Sequence, residues 1–404
     1  MRRMPPFIGH VDADCFYVSA ERVRLPHLHR MPVGILGNHG ACIIAKSYEM
    51  KAFGVTTGMP IWEALPLCPD GIYVKRDFTW YETLSRQLLA IVKATSPLVE
   101  YYSIDEMFFT VEHPSKQQAR DLQSRVLDMV GVPVSVGIGP TKLLAKLASD
   151  RNKPFGCHVV NDDASRMALL QGLPVTEITG IAQRSAAKLA SHGITTCEEF
   201  IRADRRLIRK VLTKKGEDLW WELNGDSVIP IAPLRPRNKF IARGGSLGRA
   251  TNDADRLRAF VVRNTERLVE ALHFYQLGCD QLTLDLSFKP AGGKVVRENL
   301  LATGWRFEEI CLTAIRLLQR CWSNEMVHYM HVIAGGLRER RHAQQSLFST
   351  TDAREEVIDR LKHNVNEALG RFALRSAATL PLADVYGDPA NAYDICDIYG
   401  KSCF

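Results

Sequence analysis

The chain has 404 residues, 46% of them hydrophobic, which is more than one typical globular core requires. Its 52 Lys and Arg stand against 45 Asp and Glu, and the net charge of +7 suits a polyanionic partner without proving one. No stretch approaches the roughly 20 apolar residues of a membrane span, and "MRRMPPFIGHVDADC" meets His10, Asp12 and Asp14 before any apolar run of signal length. A soluble, cytoplasmic protein of more than one domain, with neither a membrane span nor a signal peptide, is the expectation. Ten cysteines lie scattered through apolar segments with no C-x-x-C pair, as reduced thiols do rather than a disulfide framework.

In chain order, "FIGHVDA" reads as a short buried strand and "FYVSAERVRL" as a helix. "ACIIA" is a second strand, followed by the helical "SYEMKAF", a stop at Gly54 and a helix started by Pro60, "PIWEALPLC". "GIYVKR" returns to strand and "FTWYETLSRQLLAIVKA" is a long amphipathic helix. The hairpin "VEYYSIDEMFFTV" follows, then helix "KQQARDLQSRVLDMV", strand "VPVSVGI" and helix "TKLLAKLASDR". Apart from residues 20–77, the order strand, helix, strand, strand, helix, strand is a split β-α-β, ferredoxin-like plan.

From about 168 to 235 the sequence is helical and basic, and "IRADRRLIRKVLTKK" carries seven cations against one Asp. A solvated helix face explains that run equally well. The Pro-rich "PIAPLRPRNKF" is a linker, after which "RLRAFVVRNTERLVEALHF" is helical and "CDQLTLDLSFKP" and "HYMHVIAGGL" alternate as strands do. The third unit is therefore α+β, of about 100 residues. Beyond 342 the spacing loosens, although "AREEVIDRLKHNVNEALGRFA" reads as a helix.

The hairpin raises a chemical question. Asp105 and Glu106 stand between apolar and aromatic runs, and a buried carboxylate needs a proton, a counter-charge or a metal. Successive strand residues face opposite ways, but at a hairpin apex both can turn to one side. The first strand ends with Asp12 and Asp14 on a shared face, so three or four carboxylates can gather at one sheet end. Such a hard-oxygen cluster suits Mg²⁺, and two ions roughly 4 Å apart can activate an attacking hydroxyl and hold a leaving phosphate. Spacing alone leaves open that these acids are exposed turn residues or pair with arginines.

"HVDADCFYVSAE", "SYEMKAFGVTTGMP", "VEYYSIDEMFFTV" and "GIGPTKLLAKLASDRNKPFG" stand in the order and spacing of the Y-family translesion DNA polymerases, and the resemblance runs from about residue 7 to 348. "GNHGACIIAKSYEMKAFGV" and "VEYYSIDE" resemble the UmuC-like branch, whereas "LAKLASDRNKPFG" is also close to the DinB pattern. The resemblance implies an α+β right-hand polymerase with a ferredoxin-like palm at 1–19 and 78–167 and small fingers at 20–77. A helical helix-hairpin-helix thumb at 168–235 and an α+β little finger at 236–342 follow, with a clamp-binding motif and tail at 343–404. It implies that Asp12, Asp105 and Glu106, with the carbonyl of Ala13, hold two Mg²⁺ ions, Asp14 having a supporting role. Phe16 and Tyr17 would border the nucleotide, Tyr17 as the steric gate against a ribose 2′-OH. Tyr48, Lys51 and Lys153 would clamp the triphosphate of a deoxynucleoside triphosphate. Lys51 replaces the arginine of many relatives, giving a point charge in place of a bidentate fork. "GACIIA" and Gly58 match the roof over the templating base, where Ile44 is bulkier than the small residues often found.

"ITGIAQRSAAKLASHGI" resembles a thumb helix-hairpin-helix, so Gly180 and Ala182 would meet phosphates of primer–template DNA, although the common Gly-x-Gly is here Gly180, Ile181, Ala182. The basic run at 202–215 and the cations from 235 to 249 would add sequence-independent contacts, Arg243 and Arg249 foremost. In "QQSLF", Gln344, Leu347 and Phe348 match the bacterial sliding-clamp peptide, and other DNA-damage-response proteins are further expected partners. The resemblance implies low-fidelity translesion synthesis in DNA repair and the SOS response, and no segment resembles a proofreading exonuclease. The alternative is an inactive accessory protein bound to DNA and clamp, against which stand the acids at 12, 105 and 106. Cys396 and Cys403 fit a packed tail more simply than a metal site.

Overall fold

A computed structural model describes residues 7–37, 42–234, 237–340, 353–369 and 372–386. The chain divides into two compact units, Met1–Arg235 and Pro236–Phe404, and the division falls inside the Pro-rich stretch.

In the first unit, β1 (Phe7–Ala13) leads into α1 (Phe16–Arg24). The connection is sharp: the Asp14 N–H donates to the Pro133 carbonyl at 2.9 Å, and Cys15 takes a left-handed φ of 45°. Next come β2 (Val33–Leu36), β3 (Ile43–Lys46), α2 (Tyr48–Ala52), α3 (Ile61–Leu67) and β4 (Ile72–Lys75). They form a small sheet in the order β3-β2-β4 around Leu36, Ile43, Met50, Val55 and Ala64. The sequence reading passed over β2, whose four residues include a glycine and give no alternation to detect.

The larger sheet takes up α4 (Phe78–Thr95), β5 (Val99–Tyr101), β6 (Glu106–Val111), α5 (Lys116–Val130), β7 (Val134–Gly139), α6 (Lys142–Asp150) and β8 (Cys157–Val159). Its order is β5-β6-β1-β7-β8, with β1 antiparallel to both neighbours and β8 parallel to β7. The ferredoxin-like plan is present, with β8 as an extra edge strand that three residues could not announce. β1 is central, which is why six of its seven residues are buried.

Helix α6 lies directly on this sheet. A Cβ at Gly137 of β7 would come within 2.1 Å of the Ala145 carbonyl oxygen and 2.3 Å of the Ser149 nitrogen, so glycine sets the helix–sheet distance. Thr141 caps α6, its hydroxyl accepting from Leu144 N–H at 3.2 Å. A helical region then holds α7 (Asp163–Leu170), α8 (Gln183–Ala190), α9 (Cys197–Arg202) and α10 (Arg205–Leu223), which kinks at Thr213 (φ 67°). The wholly buried Glu222 of α10 accepts from the backbone N–H groups of Leu143, Val228 and Ile229, tying α10 and the following strap to the start of α6.

The second unit contains β9 (Phe240–Thr251), α11 (Ala254–Phe274), β10 (Leu277–Lys289), β11 (Gly293–Gly304), α12 (Phe307–Cys321) and β12 (Met326–Glu339). The antiparallel sheet runs β11-β10-β12-β9, with α11 and α12 closing a core of Leu257, Leu268, Leu282, Leu284, Leu317 and Val332. The region after 352 belongs to this unit too. α13 (Ala353–Leu369) contributes Lys362, which bonds the buried Glu266 at 2.5 Å, and Ser376 N–H donates to the same carboxylate at 2.9 Å. Leu382, just before α14 (Ala383–Tyr386), and Val385 within it enter the core itself, while Arg256 grips Asp384 at 2.8 Å.

Two stability outcomes follow from this packing. Leu382→Ala, at a fully buried position, should cost about 2–5 kcal/mol in urea unfolding of the full chain, and an unchanged midpoint would show that residues 372–386 do not complete the core. Gly137→Ala should cost at least about 3 kcal/mol, because backbone atoms of α6 must retreat; a neutral result would contradict the close contact.

Candidate active site

The pairing of β1 with β6 sets Asp12 opposite Glu106. Because side chains alternate, Ile8, His10 and Asp12 share a face with Phe108 and Glu106, and α6 packs on that face through Ala145 and Ser149. The Ala13 N–H donates to the Asp105 carbonyl at 2.9 Å, so the end of β1 is fastened to the turn that precedes β6. An imidazole nitrogen of His10 and carboxylate oxygens of Asp12 and Glu106 lie within 4.8 Å of one another. Asp105 is held by the Ser103 hydroxyl, and its charge acts on Asp12.

Two lysines from the α6 region answer these acids. Lys146 donates to Glu106 Oε2 at 2.6 Å; Lys153 lies 2.9 Å from Asp12 and 2.7 Å from Asp150. The balance is incomplete. Burial pushes the Asp12 carboxyl up to about 7, with Asp105 and Glu106 adding to the shift, even though Lys153 opposes it. Burial also raises Asp105. Burial opposes the charged form of Glu106 as well, but the His10 hydrogen bond and the Lys146 charge outweigh it and hold that carboxyl near 2. His10, fully buried, is driven down to about 4 and is neutral at ordinary pH. A cluster of hard oxygen donors that is short of positive charge fits a divalent cation of the Mg²⁺ type.

Asp14 turns away from this cluster: it accepts from the Ser135 hydroxyl at 2.9 Å and the Phe155 N–H at 2.7 Å, joining β1, β7 and the segment after α6. The Tyr17 ring, at the start of α1, stacks on Tyr81 at 4.6 Å and meets Phe78 edge-on at 5.7 Å, which fixes its orientation. Phe16 departs from expectation. It is 4% exposed and packs toward Tyr81 on the core side of α1, so its ring does not border an open site. Tyr48 opens α2 beside Cys15, with burial pushing its hydroxyl up, and Lys51 is exposed on the same helix.

Of the expected DNA contacts, Gly180 has the positive φ of 105° that a tight turn before α8 requires, and Ala182 caps that helix. The apolar Ile181 between them is buried in the helical core. The basic run is less available than its charge implies, because the buried Glu217 binds Arg205 at 2.7 Å and Arg209 at 2.9 Å. Arg243 corrects the sequence reading: it is 4% exposed, on the same side of β9 as Ile241 and Leu247, and burial with the nearby Arg267 charge pushes it down to about 10. Period-two alternation along β9 turns it inward, whereas Arg249, of the same parity but beyond the register shift that follows Ser246, is exposed. Gln344, Leu347 and Phe348, with Cys396 and Cys403, lie outside the described residues.

Sequence reasoning missed His10, Lys146 and Ser149. The signals were present: His10 stands two residues before Asp12 on one strand, and 146, 149, 150 and 153 have the spacing of one helix face.

The sequence model of the impB/mucB/samB family matches residues 11–150, and that of the family's C-terminal domain matches 238–347. The chain is 30% identical over 394 residues to protein ImpB of Salmonella typhimurium, covering 92% of this chain and 93% of that protein. It is 29% identical over 387 residues to DNA polymerase IV of Bacillus velezensis, covering 92% and 93%. In fold it is similar to a Y-family DNA polymerase Dbh–Dpo4 chimera, with a TM-score of 0.70 and 21% identity over 81% of this chain and 98% of that one. DinB from Sulfolobus solfataricus aligns over the same shares at a TM-score of 0.52 and 22% identity. The chain therefore belongs to the impB/mucB/samB family and is a UmuC/DinB-like DNA polymerase of the Y family.

Proposed function

We propose that this chain carries out template-directed, low-fidelity translesion DNA synthesis from deoxynucleoside triphosphates, with two Mg²⁺ ions held by Asp12, Asp105, Glu106 and the Ala13 carbonyl. The observation that carries this reading is the β1–β6 register, which gathers buried acids at one sheet end, where burial raises the Asp12 carboxyl further than the nearby Lys153 offsets. When bound, the ions supply activation of the primer 3′-OH and stabilisation of the leaving pyrophosphate.

The protein groups divide the remaining work. Asp12, Asp105 and Glu106 supply the negative charge that holds the cations at a fixed place relative to the sheet. Lys153, already within reach of Asp12, supplies positive charge for a triphosphate, together with Lys51 and the Tyr48 hydroxyl. The Tyr17 ring, braced by Tyr81 and Phe78, fills the volume a ribose 2′-OH would need. In this scheme residues 1–19 and 78–167 are palm, 20–77 fingers, 168–235 thumb and 236–342 little finger, and Gly180, Ala182 and Arg249 meet the DNA backbone. Gln344, Leu347 and Phe348 tether the enzyme to a sliding clamp, which raises its concentration at the primer end and keeps it with the nucleoid. Among the described residues no helix is long and apolar enough to cross a membrane.

Primer extension by the purified chain on undamaged and abasic templates tests this function. Asp105→Ala should lower extension at least about 10³-fold while DNA affinity stays within a few-fold; undiminished extension would remove the metal assignment. Tyr17→Ala should reduce discrimination against ribonucleotides by about 10²-fold, and unchanged discrimination would show that the ring is a packing element only.

A further inference from the structure

The geometry points to His10 as a positioning residue that fixes the Glu106 carboxylate for cation binding, with Ser149 setting the orientation of its imidazole. This inference rests on the metal reading given above.

His10 lies at the centre of the sheet's α6 face and has no exposed surface. Its ring is held on two sides: it sits 4.5 Å from the Phe108 ring, and its Nδ1 is 2.7 Å from the Ser149 hydroxyl. Nε2 is then directed at Glu106 Oε2, at 3.3 Å. An unprotonated nitrogen would oppose its lone pair to a carboxylate oxygen, so the proton belongs on Nε2 and His10 donates to Glu106. Nδ1 is left as an acceptor, and Ser149 is the donor in reach. That hydroxyl has one proton and two acceptors at 2.7 Å, His10 Nδ1 and the Lys146 carbonyl, and the tautomer facing Glu106 calls for the first.

Glu106 therefore takes two bonds from different elements on one oxygen. Lys146 donates to Oε2 at 2.6 Å and His10 at 3.3 Å, which fixes the carboxylate's rotation and leaves Oε1 for a cation. The two donors do different things. Lys146 brings a charge to the carboxylate a cation would use, whereas the His10 ring, held by Phe108 and Ser149, orients it through Oε2 and leaves Oε1 clear. α6 supplies both Lys146 and Ser149 from one face, so the closeness of α6 to β7 also sets this alignment. Partners of a ligating carboxylate commonly account for about 10- to 100-fold in metal affinity.

The test uses the full chain bound to primer–template DNA, with Mn²⁺ as the probe. Free Mn²⁺ is followed by electron paramagnetic resonance, and the Mg²⁺ half-saturation of extension is measured in parallel. His10→Phe keeps the ring packing and removes the donor; it should weaken Mn²⁺ binding and raise the Mg²⁺ requirement by about 10-fold or more, with DNA affinity unchanged. His10→Gln restores an N–H donor and should recover most of the loss. Ser149→Ala, which leaves the imidazole in place, should move both quantities in the same direction by less, and it carries the test should His10→Phe fail to fold.

Mn²⁺ binding that is lost in Asp105→Ala but unchanged in His10→Phe or, where that variant does not fold, in Ser149→Ala overturns the inference alone. Directly bound nitrogen in the pulsed spectrum of the parent overturns it as well, by making His10 a ligand. Absence of Mn²⁺ binding to the parent overturns the metal reading and this inference together.

Discussion

The architecture of the first unit is organised around a cluster of carboxylates that are mostly withdrawn from water. Asp12 and Glu106 face each other because β1 and β6 pair in that register, and a slip of one residue would put them on opposite faces of the sheet. Burial alone would neutralise them. The structure keeps Glu106 charged with one lysine and one imidazole, and leaves Asp12 near its titration point beside the other lysine. Folding and the proposed cation binding thus draw on the same charges.

Helix α6 is the element through which this cluster is controlled. Its residues Lys146, Ser149 and Asp150 descend one face, and Lys153 follows just beyond its end. The helix is placed by three independent devices: the missing side chain at Gly137, the Thr141 cap and the buried Glu222 carboxylate that receives the Leu143 N–H. Glu222 also holds Val228 and Ile229, and Glu100 receives the Ala232 N–H at 2.7 Å while bonding Lys142. The strap that leaves α10 is therefore fastened to the same structural block that carries the acids.

In the second unit, the segment following α13 contributes apolar side chains to the sheet–helix core. The buried Glu266 joins α11 to Lys362 and to Ser376 N–H, so a charge inside the unit is balanced by residues more than 90 positions later in the chain. The family's C-terminal domain model stops at 347, and this chain's core continues past it to Val385.

Much was determined by local sequence. The short buried apolar runs of β1, β6 and β7, the alternation of β10 and β12 and the amphipathic spacing of α4, α5, α6 and α11 point to an α+β fold, and the acids at 12, 105 and 106 mark the proposed site, because periodicity and buried charge are properties of neighbouring residues. β2, β8, β9, β11 and α12 escaped that reading; strands of four and three residues, such as β2 and β8, acquire their identity from partners that lie far along the chain. Tertiary structure alone decided which cations are free: Arg243 points into the core and Arg205 and Arg209 are taken by Glu217, although the sequence gives all three the same charge. It also decided that His10, Ser149 and Lys146 meet at Glu106. Their contacts span 40 to 139 residues, and only the packing of α6 on the sheet brings such distant groups within hydrogen-bond reach.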